Sequence, residues 1–218
     1  MRFEKLEEAQ IINRERRFKL FIRYKNEDVL AYLPNPGRLE NIILPGAPVL
    51  IRECNNHKRK TKYEAVLGFE DSKLVSLNAS LANKIFLENI YRFPIKVKDL
   101  KREFRFGRSR FDFLINERIL VEVKSVTLVK NGIGLFPDAP TERGAKHMQE
   151  MQNWTFEKWV VFVVQRSDAK LVKPNRELDL DFYNAIRALK ENGGAFFAFT
   201  CNVTYSEITF KEFINVEV

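Results

Sequence analysis

Hydrophobic and polar positions alternate in short runs through the first eighty residues, which is the period-2 pattern of half-buried strands. The runs are interrupted by polar, proline and glycine residues typical of turns, as in residues 25–28 and 34–37. Short strands packed this closely along the chain favour a small closed barrel. We expect an OB-like barrel, with an SH3-like barrel as the alternative. The predicted strands cover residues 9–12, 18–24, 29–33, 48–52, 63–69 and 74–77.

From residue 78 onward the pattern alternates between helical and strand spacing, which is typical of a mixed α/β domain. Ser80 is expected to cap the first helix, and Asn116 with Glu117 is expected to form a turn between two strands. We therefore expect two domains, a barrel in residues 1–80 and an α/β domain in residues 81–218. The second domain is predicted to contain a helix to about residue 91, strands over 103–106, 110–115 and 119–128, a helix over 141–153, a strand over 159–165, a helix over 178–192 that stops at Gly193, and a strand over 195–203.

Composition excludes several classes of protein and favours one kind of partner. The 218 residues are 45% hydrophobic with only 9 Gly and 8 Pro, which excludes a disordered or fibrous chain. Two cysteines and the absence of a long apolar run predict a cytoplasmic protein with no signal peptide and no membrane span. A formal charge of +8 favours a polyanionic partner such as nucleic acid.

Two carboxylates and a lysine lie on a predicted hairpin. Asp112 lies on one strand, and Glu122 and Lys124 lie on the next, where the strand period directs both to one face. Paired carboxylates suit Mg²⁺ or Mn²⁺, and a lysine beside them can orient a water or stabilise charge on a phosphate. This set predicts phosphodiester hydrolysis. The alternative is a solvated hairpin face whose ion pairs contribute only modestly to stability.

A further acid, Glu88, lies on the helix that precedes this hairpin and can approach the same strand ends. The arrangement resembles the PD-(D/E)XK nuclease and resolvase superfamily, whose core is αβββαβ, with Phe111 where the motif expects proline. On this interpretation Asp112, Glu122 and the carbonyl of Val123 hold the metal. Lys124 positions the attacking water, and Glu88 acts as an additional acid near the metal.

Basic residues cluster in places that can contact a phosphate backbone. Residues 92–110 contain eight basic residues against two acidic ones, and a second cluster lies in a predicted barrel loop. The helix after residue 141 places further cations on one face. Phosphate contacts predict binding that falls steeply with salt and reads little sequence, whereas solubility alone is the alternative explanation. The predicted nucleic-acid contacts are Lys58, Arg59, Lys60, Lys62, Arg105, Arg108, Arg110, Arg143, Lys146 and His147.

The surrounding segments carry a more specific resemblance. In order along the chain they are PNPGRLENIILPGAPV, HKRKTKYEAV, NASLANKIFLENI, GRSRFDF, VEVKSVTL and LFPDAPTERGAKHMQEM. They resemble the successive signatures of the sugar fermentation stimulation protein A family. The resemblance implies an OB-like domain followed by a PD-(D/E)XK nuclease-like domain, with Glu88, Asp112, Glu122 and Lys124 at the positions of the nuclease site.

The function implied by this resemblance is DNA binding without strong sequence preference, with a role in regulating sugar metabolism, notably that of maltose. Two alternatives remain open from the sequence: an active Mg²⁺- or Mn²⁺-dependent endonuclease, and an RNA-binding or RNA-processing factor, which an OB-like domain serves equally well. A homodimer would suit a resolvase-like activity, but no segment identifies an interface.

Overall fold

The computed structural model of the protein describes residues 1–54 and 61–218. Its first six strands are β1 (Glu7–Glu15), β2 (Lys19–Tyr24), β3 (Glu27–Tyr32), β4 (Pro48–Glu53), β5 (Tyr63–Glu70) and β6 (Lys73–Ser76). They form one sheet in the order β3-β2-β1-β4-β5-β6. A parallel pairing between β3 and β5, which joins Ala31 to Tyr63, closes five of these strands into a barrel. The predicted OB-like barrel is confirmed.

Alternation of side chains along the barrel strands produces its core. In β2, Leu20 and Ile22 point inward and are fully buried, while the lysine and arginine of the same strand face outward. Val49 and Ile51 of β4 and Ala65 of β5 meet them inside the barrel. Closure pairs the strand edges that an open sheet of this size would leave exposed. Each buried aliphatic side chain contributes roughly 1.5–3 kcal/mol through removal of apolar area from water.

The remaining elements form the α/β domain around a nine-stranded sheet. They are α1 (Leu81–Glu88), a 3₁₀ turn (Ile90–Arg92), β7 (Leu100–Phe106), β8 (Ser109–Ile115), β9 (Ile119–Val126), β10 (Val129–Lys130), β11 (Ile133–Phe136), α2 (Glu142–Met151), β12 (Lys158–Val164), β13 (Leu171–Pro174), α3 (Leu180–Glu191), β14 (Gly194–Val203) and β15 (Ile208–Val216). The strand order is β10-β11-β13-β15-β14-β12-β9-β8-β7.

Strand β12 lies inside this sheet, and all of its residues are buried. It runs parallel to both β9 and β14, and helices cover both of its faces. Val160 and Phe162 pack on the side of α2 and α3, whereas Val161 and Val163 pack on the side of α1. A strand covered on both faces needs a continuous apolar run, which is why its sequence shows no alternation.

Four strands of the α/β domain were not predicted from the sequence, and β9 is shorter than predicted. The predicted strand over 119–128 ends at Val126, and β10 and β11 follow it as a separate hairpin. The turn of that hairpin is Asn131-Gly132, with both residues at positive φ, which is a strong hairpin signal that the prediction missed. Strands β13 and β15 were also not predicted, although the alternation in β15 is visible in its sequence. The turn predicted at Asn116 and Glu117 is present, again with positive φ at both residues.

The cap of α1 also differs from the prediction. Ser80 occupies the N-cap position, but its side chain makes no capping hydrogen bond. Instead, Oδ1 of Asn78 accepts hydrogen bonds from the Ser80 amide at 2.9 Å and from the Ser80 hydroxyl at 2.6 Å. The segment that leads from the barrel into α1 is therefore held by Asn78, whose own carbonyl accepts a hydrogen bond from Gln165 at the end of β12.

A buried ion cluster joins the barrel to the α/β domain. The side chain of Arg166, only 3% exposed, contacts Asp168 at 2.6 Å and also pairs with Glu70 of the barrel. Lys73 of β6 reaches the same Asp168 at 3.1 Å. Burial acts to raise the pKa of Asp168, but the hydrogen bonds and charge of Arg166 outweigh it and lower this pKa to about 2. Asp168 is thus ionised at neutral pH.

Two further contacts cross between the two parts of the chain. The carboxylate of Asp138, which precedes α2, lies against Gly37 of the barrel so closely that a Cβ at this glycine would clash with it. At the other end, the amide of Phe3 donates to the carbonyl of Ser206, so that the first residues of the chain lie on the α/β domain. In the part of the chain that the structure describes, no helix combines the length and apolarity needed to cross a membrane.

Replacing Arg166 by methionine is expected to lower the free energy of unfolding by about 3 kcal/mol, because the partly buried carboxylate of Glu70 would lose the cation of Arg166 and that of Asp168 would keep only Lys73. Urea unfolding monitored by tryptophan fluorescence measures this change. The matched control is Arg187→Met, which removes an exposed helical pair with Glu191 and should change stability by less than about 0.5 kcal/mol. Equal effects of the two substitutions would contradict the assigned role of the cluster.

Candidate metal centre and nucleic-acid interface

The site forms where the pairing between β8 and β9 ends. Paired residues of these strands run from Ile115 with Ile119 to Phe113 with Val121. The next residue of β8 is Asp112, and its Oδ2 accepts a hydrogen bond from the Val123 amide at 2.7 Å. A carboxylate thereby replaces the backbone acceptor for this amide. At Val123 the edge of β9 therefore contacts the side chain of Asp112 and no longer the backbone of β8.

Asp112 is held from a second direction by α1. Its Oδ1 accepts a hydrogen bond from Nδ2 of Asn83 at 2.6 Å. Burial and the nearby charge of Glu122 raise the pKa of Asp112 to about 6, against the opposing effect of its hydrogen bonds. Asn83 was not among the predicted site residues. A polar residue on the inner side of an amphipathic helix was the only available signal, and by itself such a residue is not specific.

Glu122 lies on β9 on the side of the sheet covered by α2, and its side chain is 6% exposed. Its Oε1 accepts two hydrogen bonds, from Nζ of Lys124 at 2.7 Å and from Nδ1 of His147 at 2.7 Å. Its Oε2 is buried and has no hydrogen-bond partner among residues 1–54 and 61–218. One oxygen of this carboxylate is therefore saturated, and the other is available for a ligand.

The electrostatics of the two carboxylates differ. Burial acts to raise the pKa of Glu122, but the charge of Lys124 and the contact with His147 together hold it below its ordinary value. Glu122 is thus ionised at neutral pH, and its charge disfavours the ionised form of Asp112. Bringing a cation between them would relieve this repulsion. Oxygen donors of this type match a hard divalent cation such as Mg²⁺, Mn²⁺ or Ca²⁺.

His147 is positioned by α2, which begins after Thr141, whose hydroxyl accepts a hydrogen bond from the Gly144 amide at 3.1 Å. The imidazole is buried, and its Nε2 accepts from Nε of Arg143 at 3.3 Å. With this assignment the N–H of the ring is at Nδ1, and it donates a hydrogen bond to Oε1 of Glu122. His147 was predicted as a nucleic-acid contact. In the structure both ring nitrogens of His147 are hydrogen-bonded to other side chains and the imidazole is buried, so that it contacts Glu122 and is not exposed on the basic surface.

Glu88, the predicted additional acid, is the last residue of α1. Its carboxylate is 3.0 Å from the amino group of Met1. It lines the same cavity as Asp112, but the α1 side chain that contacts Asp112 is Asn83, one and a half turns earlier in the helix. The structure therefore brings Glu88 to the wall of the site, with the chain terminus as its ion-pair partner.

The predicted basic contacts lie around two neighbouring elements. Arg105, Arg108 and Arg110 are exposed on the hairpin of β7 and β8, and Arg110 pairs with Glu103 at 2.8 Å. The turn of this hairpin is tied to α2, because Glu150 accepts a hydrogen bond from the Arg108 amide. The hairpin and α2 therefore form one surface beside the carboxylates.

The other predicted contacts belong to α2 and to the barrel. Arg143 and Lys146 are exposed on α2 and continue the basic surface of the hairpin. In the barrel, Lys62 lies just before β5 and pairs with Glu53 at 3.2 Å. The three remaining predicted contacts, Lys58, Arg59 and Lys60, lie outside the described residues.

Comparison with known proteins gives concordant matches. Residues 12–77 match the protein-family model described as SfsA N-terminal OB domain, and residues 76–207 match the one described as Sugar fermentation stimulation protein RE domain. The sugar fermentation stimulation protein homologs of Clostridium botulinum (strain Loch Maree / Type A3) and Clostridium kluyveri (strain NBRC 12016) are 36% and 37% identical, over 96% of this chain and 96% of theirs.

A solved structure is also similar over the whole chain. It is described as the structure of Pyrococcus furiosus SfsA in complex with Ca²⁺. The match has a TM-score of 0.90 at 25% sequence identity and covers 100% of this chain and 98% of that one.

Replacing Asp112 by asparagine is expected to raise the free energy of unfolding by about 1–2 kcal/mol in metal-free buffer at alkaline pH, because the substitution removes a buried charge repelled by Glu122. Urea unfolding in the presence of a chelator measures the effect. The control Asp99→Asn removes an exposed carboxylate and should be close to neutral. A loss of stability in Asp112→Asn would show that its hydrogen bonds outweigh the repulsion.

Proposed function

Because this chain belongs to the sugar fermentation stimulation protein family and carries the buried carboxylate of Glu122 beside the partly buried carboxylate of Asp112, we propose that it binds DNA and hydrolyses phosphodiester bonds with a divalent cation. The observation that carries the proposal is Oε2 of Glu122, a buried carboxylate oxygen without a partner in the described residues. A stabilising ion pair alone would not require such an oxygen, since leaving a buried acceptor unpaired costs about 1–3 kcal/mol.

The metal ligands that we propose are Asp112, Glu122 and the carbonyl of Val123. In a β-strand the amide and carbonyl of one residue point to the same edge, and the Val123 amide is bonded to Asp112. Nowhere in residues 1–54 and 61–218 do three or more His, Cys, Asp or Glu side chains gather as a metal site. Two carboxylates with one carbonyl suit Mg²⁺ or Mn²⁺, because such ions retain water and bind substrate phosphate. The Ca²⁺ named for the Pyrococcus furiosus protein belongs to the same class of hard cation.

Each neighbouring side chain has a defined task in this proposal. A bound cation would supply Lewis-acid polarisation of the phosphodiester. Lys124, only 12% exposed and fixed against Glu122, would orient the attacking water and stabilise negative charge on the phosphate. His147 holds Oε1 of Glu122 so that Oε2 is presented, and Asn83 fixes the rotamer of Asp112 in the same way.

DNA is the substrate that we propose, and the positive surface of the β7–β8 hairpin and α2 supports it. Arg108 and Lys146 are exposed there without an ion pair among the described residues, which leaves both free to contact phosphates. We propose that residues 81–218 carry the chemistry and that residues 1–80 add an OB-type surface for the strand. A role in sugar metabolism, which the family name suggests, would be exerted through this DNA binding. The competing proposal is an RNA substrate. Competition between DNA and RNA of equal length for binding to the protein distinguishes the two.

Titration of the purified protein with Mg²⁺ or Mn²⁺ in the presence of labelled single-stranded, duplex and branched DNA is expected to produce cleavage. Asp112→Asn and Lys124→Ala should each lower the cleavage rate by a factor of at least about 100, because the first removes a charged metal ligand and the second removes the cation that orients the water and stabilises charge on the phosphate. Binding of DNA should persist in both variants, since the basic surface is unchanged.

The controls for this experiment are Asp99→Asn and Lys101→Ala, which change exposed side chains away from the site. Cleavage that persists in Asp112→Asn would identify a contaminating nuclease and reject the assignment. Tight DNA binding without cleavage by the parent protein would favour a regulatory DNA-binding function with a purely structural carboxylate pair.

DNA affinity is expected to fall steeply with salt, because lysine and arginine contacts release counterions from the phosphate backbone. Arg108→Gln and Lys146→Gln should each weaken binding several-fold on all sequences, and each should reduce the salt slope by about one. Fluorescence anisotropy over a salt series measures both quantities. Affinity that is independent of salt, or variants with unchanged slopes, would exclude this surface.

A further inference from the structure

A cavity opens beside Asp112 on the side of the sheet opposite α2. Its volume is about 550 Å³, and it lies between α1 and the β7–β8 hairpin. We refer to it as the α1 cavity. The charged side chains in its wall are Lys84, Glu88, Arg102, Glu103 and Asp112, and Ser80 and Asn83 add polar groups. None of the predicted nucleic-acid contacts lies in this wall, so the cavity is separate from the basic surface of α2.

The balance of charge in the α1 cavity is positive once ion pairs are taken into account. Glu88 is neutralised by the amino group of Met1 at 3.0 Å, and Glu103 is neutralised by Arg110 at 2.8 Å. Lys84 and Arg102 are exposed and have no carboxylate partner in the described parts of the chain. Two cations thus face the cavity without a counter-charge other than Asp112.

The backbone beside Asp112 is also unusual. The pairing of β7 with β8 joins Arg102 to Phe113 and Phe104 to Phe111 but omits Glu103 and Asp112 between them. Glu103 has a φ of 54°, a left-handed conformation that is uncommon for residues other than glycine. The irregularity lies at the position of the carboxylate, next to the cavity, which is where strained residues cluster in functional sites.

We propose that the α1 cavity binds a phosphate group of the nucleic-acid strand next to the bond to be cleaved, through Lys84 and Arg102. The guanidinium of Arg102 offers the forked pair of donors that fits phosphate, and Lys84 adds a second positive charge from the opposite wall. The volume falls in the range of sites for small ligands and accommodates a nucleotide.

This site rests on the proposed function and extends it, because it gives the substrate strand a path from the basic surface of α2, past Asp112 and into the α1 cavity. Two sources with the same chemistry can supply this phosphate. A phosphate monoester at the end of a strand and an internal phosphodiester both present oxygen acceptors to lysine and arginine. Oligonucleotides with and without a terminal phosphate distinguish these sources.

The experiment measures the affinity of the full chain for oligonucleotides labelled at one end and carrying a phosphate or a hydroxyl at the other. Binding is measured by fluorescence anisotropy. A chelator is present to remove divalent cations, so that no hydrolysis occurs during the measurement. The variants are Lys84→Gln and Arg102→Gln, both at exposed positions. The matched control is Lys101→Gln, which neighbours Arg102 on β7 and pairs instead with Glu117.

Lys84→Gln and Arg102→Gln are each expected to weaken binding about three- to ten-fold and to lower the salt slope by about one, whereas Lys101→Gln should match the parent. If the cavity holds a strand end, removal of the terminal phosphate will weaken binding by the parent protein but not by a variant that carries both Lys84→Gln and Arg102→Gln. If it holds an internal phosphodiester, both oligonucleotides will lose affinity equally in the variants.

Two results overturn the inference, and they are distinguishable. Binding by the parent protein with no difference between Lys84→Gln, Arg102→Gln and Lys101→Gln rejects the α1 cavity while leaving the proposed function intact. Failure of the parent protein to bind any oligonucleotide rejects the proposed function, and the inference with it.

Discussion

The hydrogen bond from the Val123 amide to Asp112 organises this site. It replaces a backbone pairing with a carboxylate, so that β8 and β9 stop pairing while both strands continue. Asp112 is thereby held at the edge of β9, within the influence of the charge of Glu122, even though burial of the pair is unfavourable. The surrounding hydrogen bonds from Asn83, Lys124 and His147 compensate for this cost without using Oε2 of Glu122.

The three α-helices take different positions around this strand edge. On one side, α2 brings His147 to Glu122 and, through Glu150, fixes the turn of the basic hairpin. On the other side, α1 brings Asn83 to Asp112 and forms one wall of the α1 cavity. Helix α3 packs with α2 on the same face of the sheet and fills the core behind the site. A disturbance of either α1 or α2 would therefore reach both a carboxylate and a cationic surface.

The barrel is attached close to the same strand ends. Arg166 follows the carboxyl end of β12, and Glu70 and Lys73 of the barrel reach its ion cluster. Gln165 bonds to Asn78 and to Ser125, one residue beyond Lys124 on β9. The barrel is thus fixed near the site by buried polar contacts, which are directional, as well as by apolar packing.

The sequence by itself determined the barrel strands and the identity of Asp112, Glu122 and Lys124 as neighbours on a hairpin. These follow from local periodicity, because side chains two apart in a strand share a face. The family and the αβββαβ core were expected from the resemblance of successive sequence segments to that family. It did not determine that His147 is buried against Glu122, that Asn83 rather than Glu88 bonds Asp112, or that Gly37 lies against Asp138. Those contacts join residues far apart in the chain, and the relative placement of helices, sheet and barrel that creates them is set by packing, which leaves no periodic signal in one sequence.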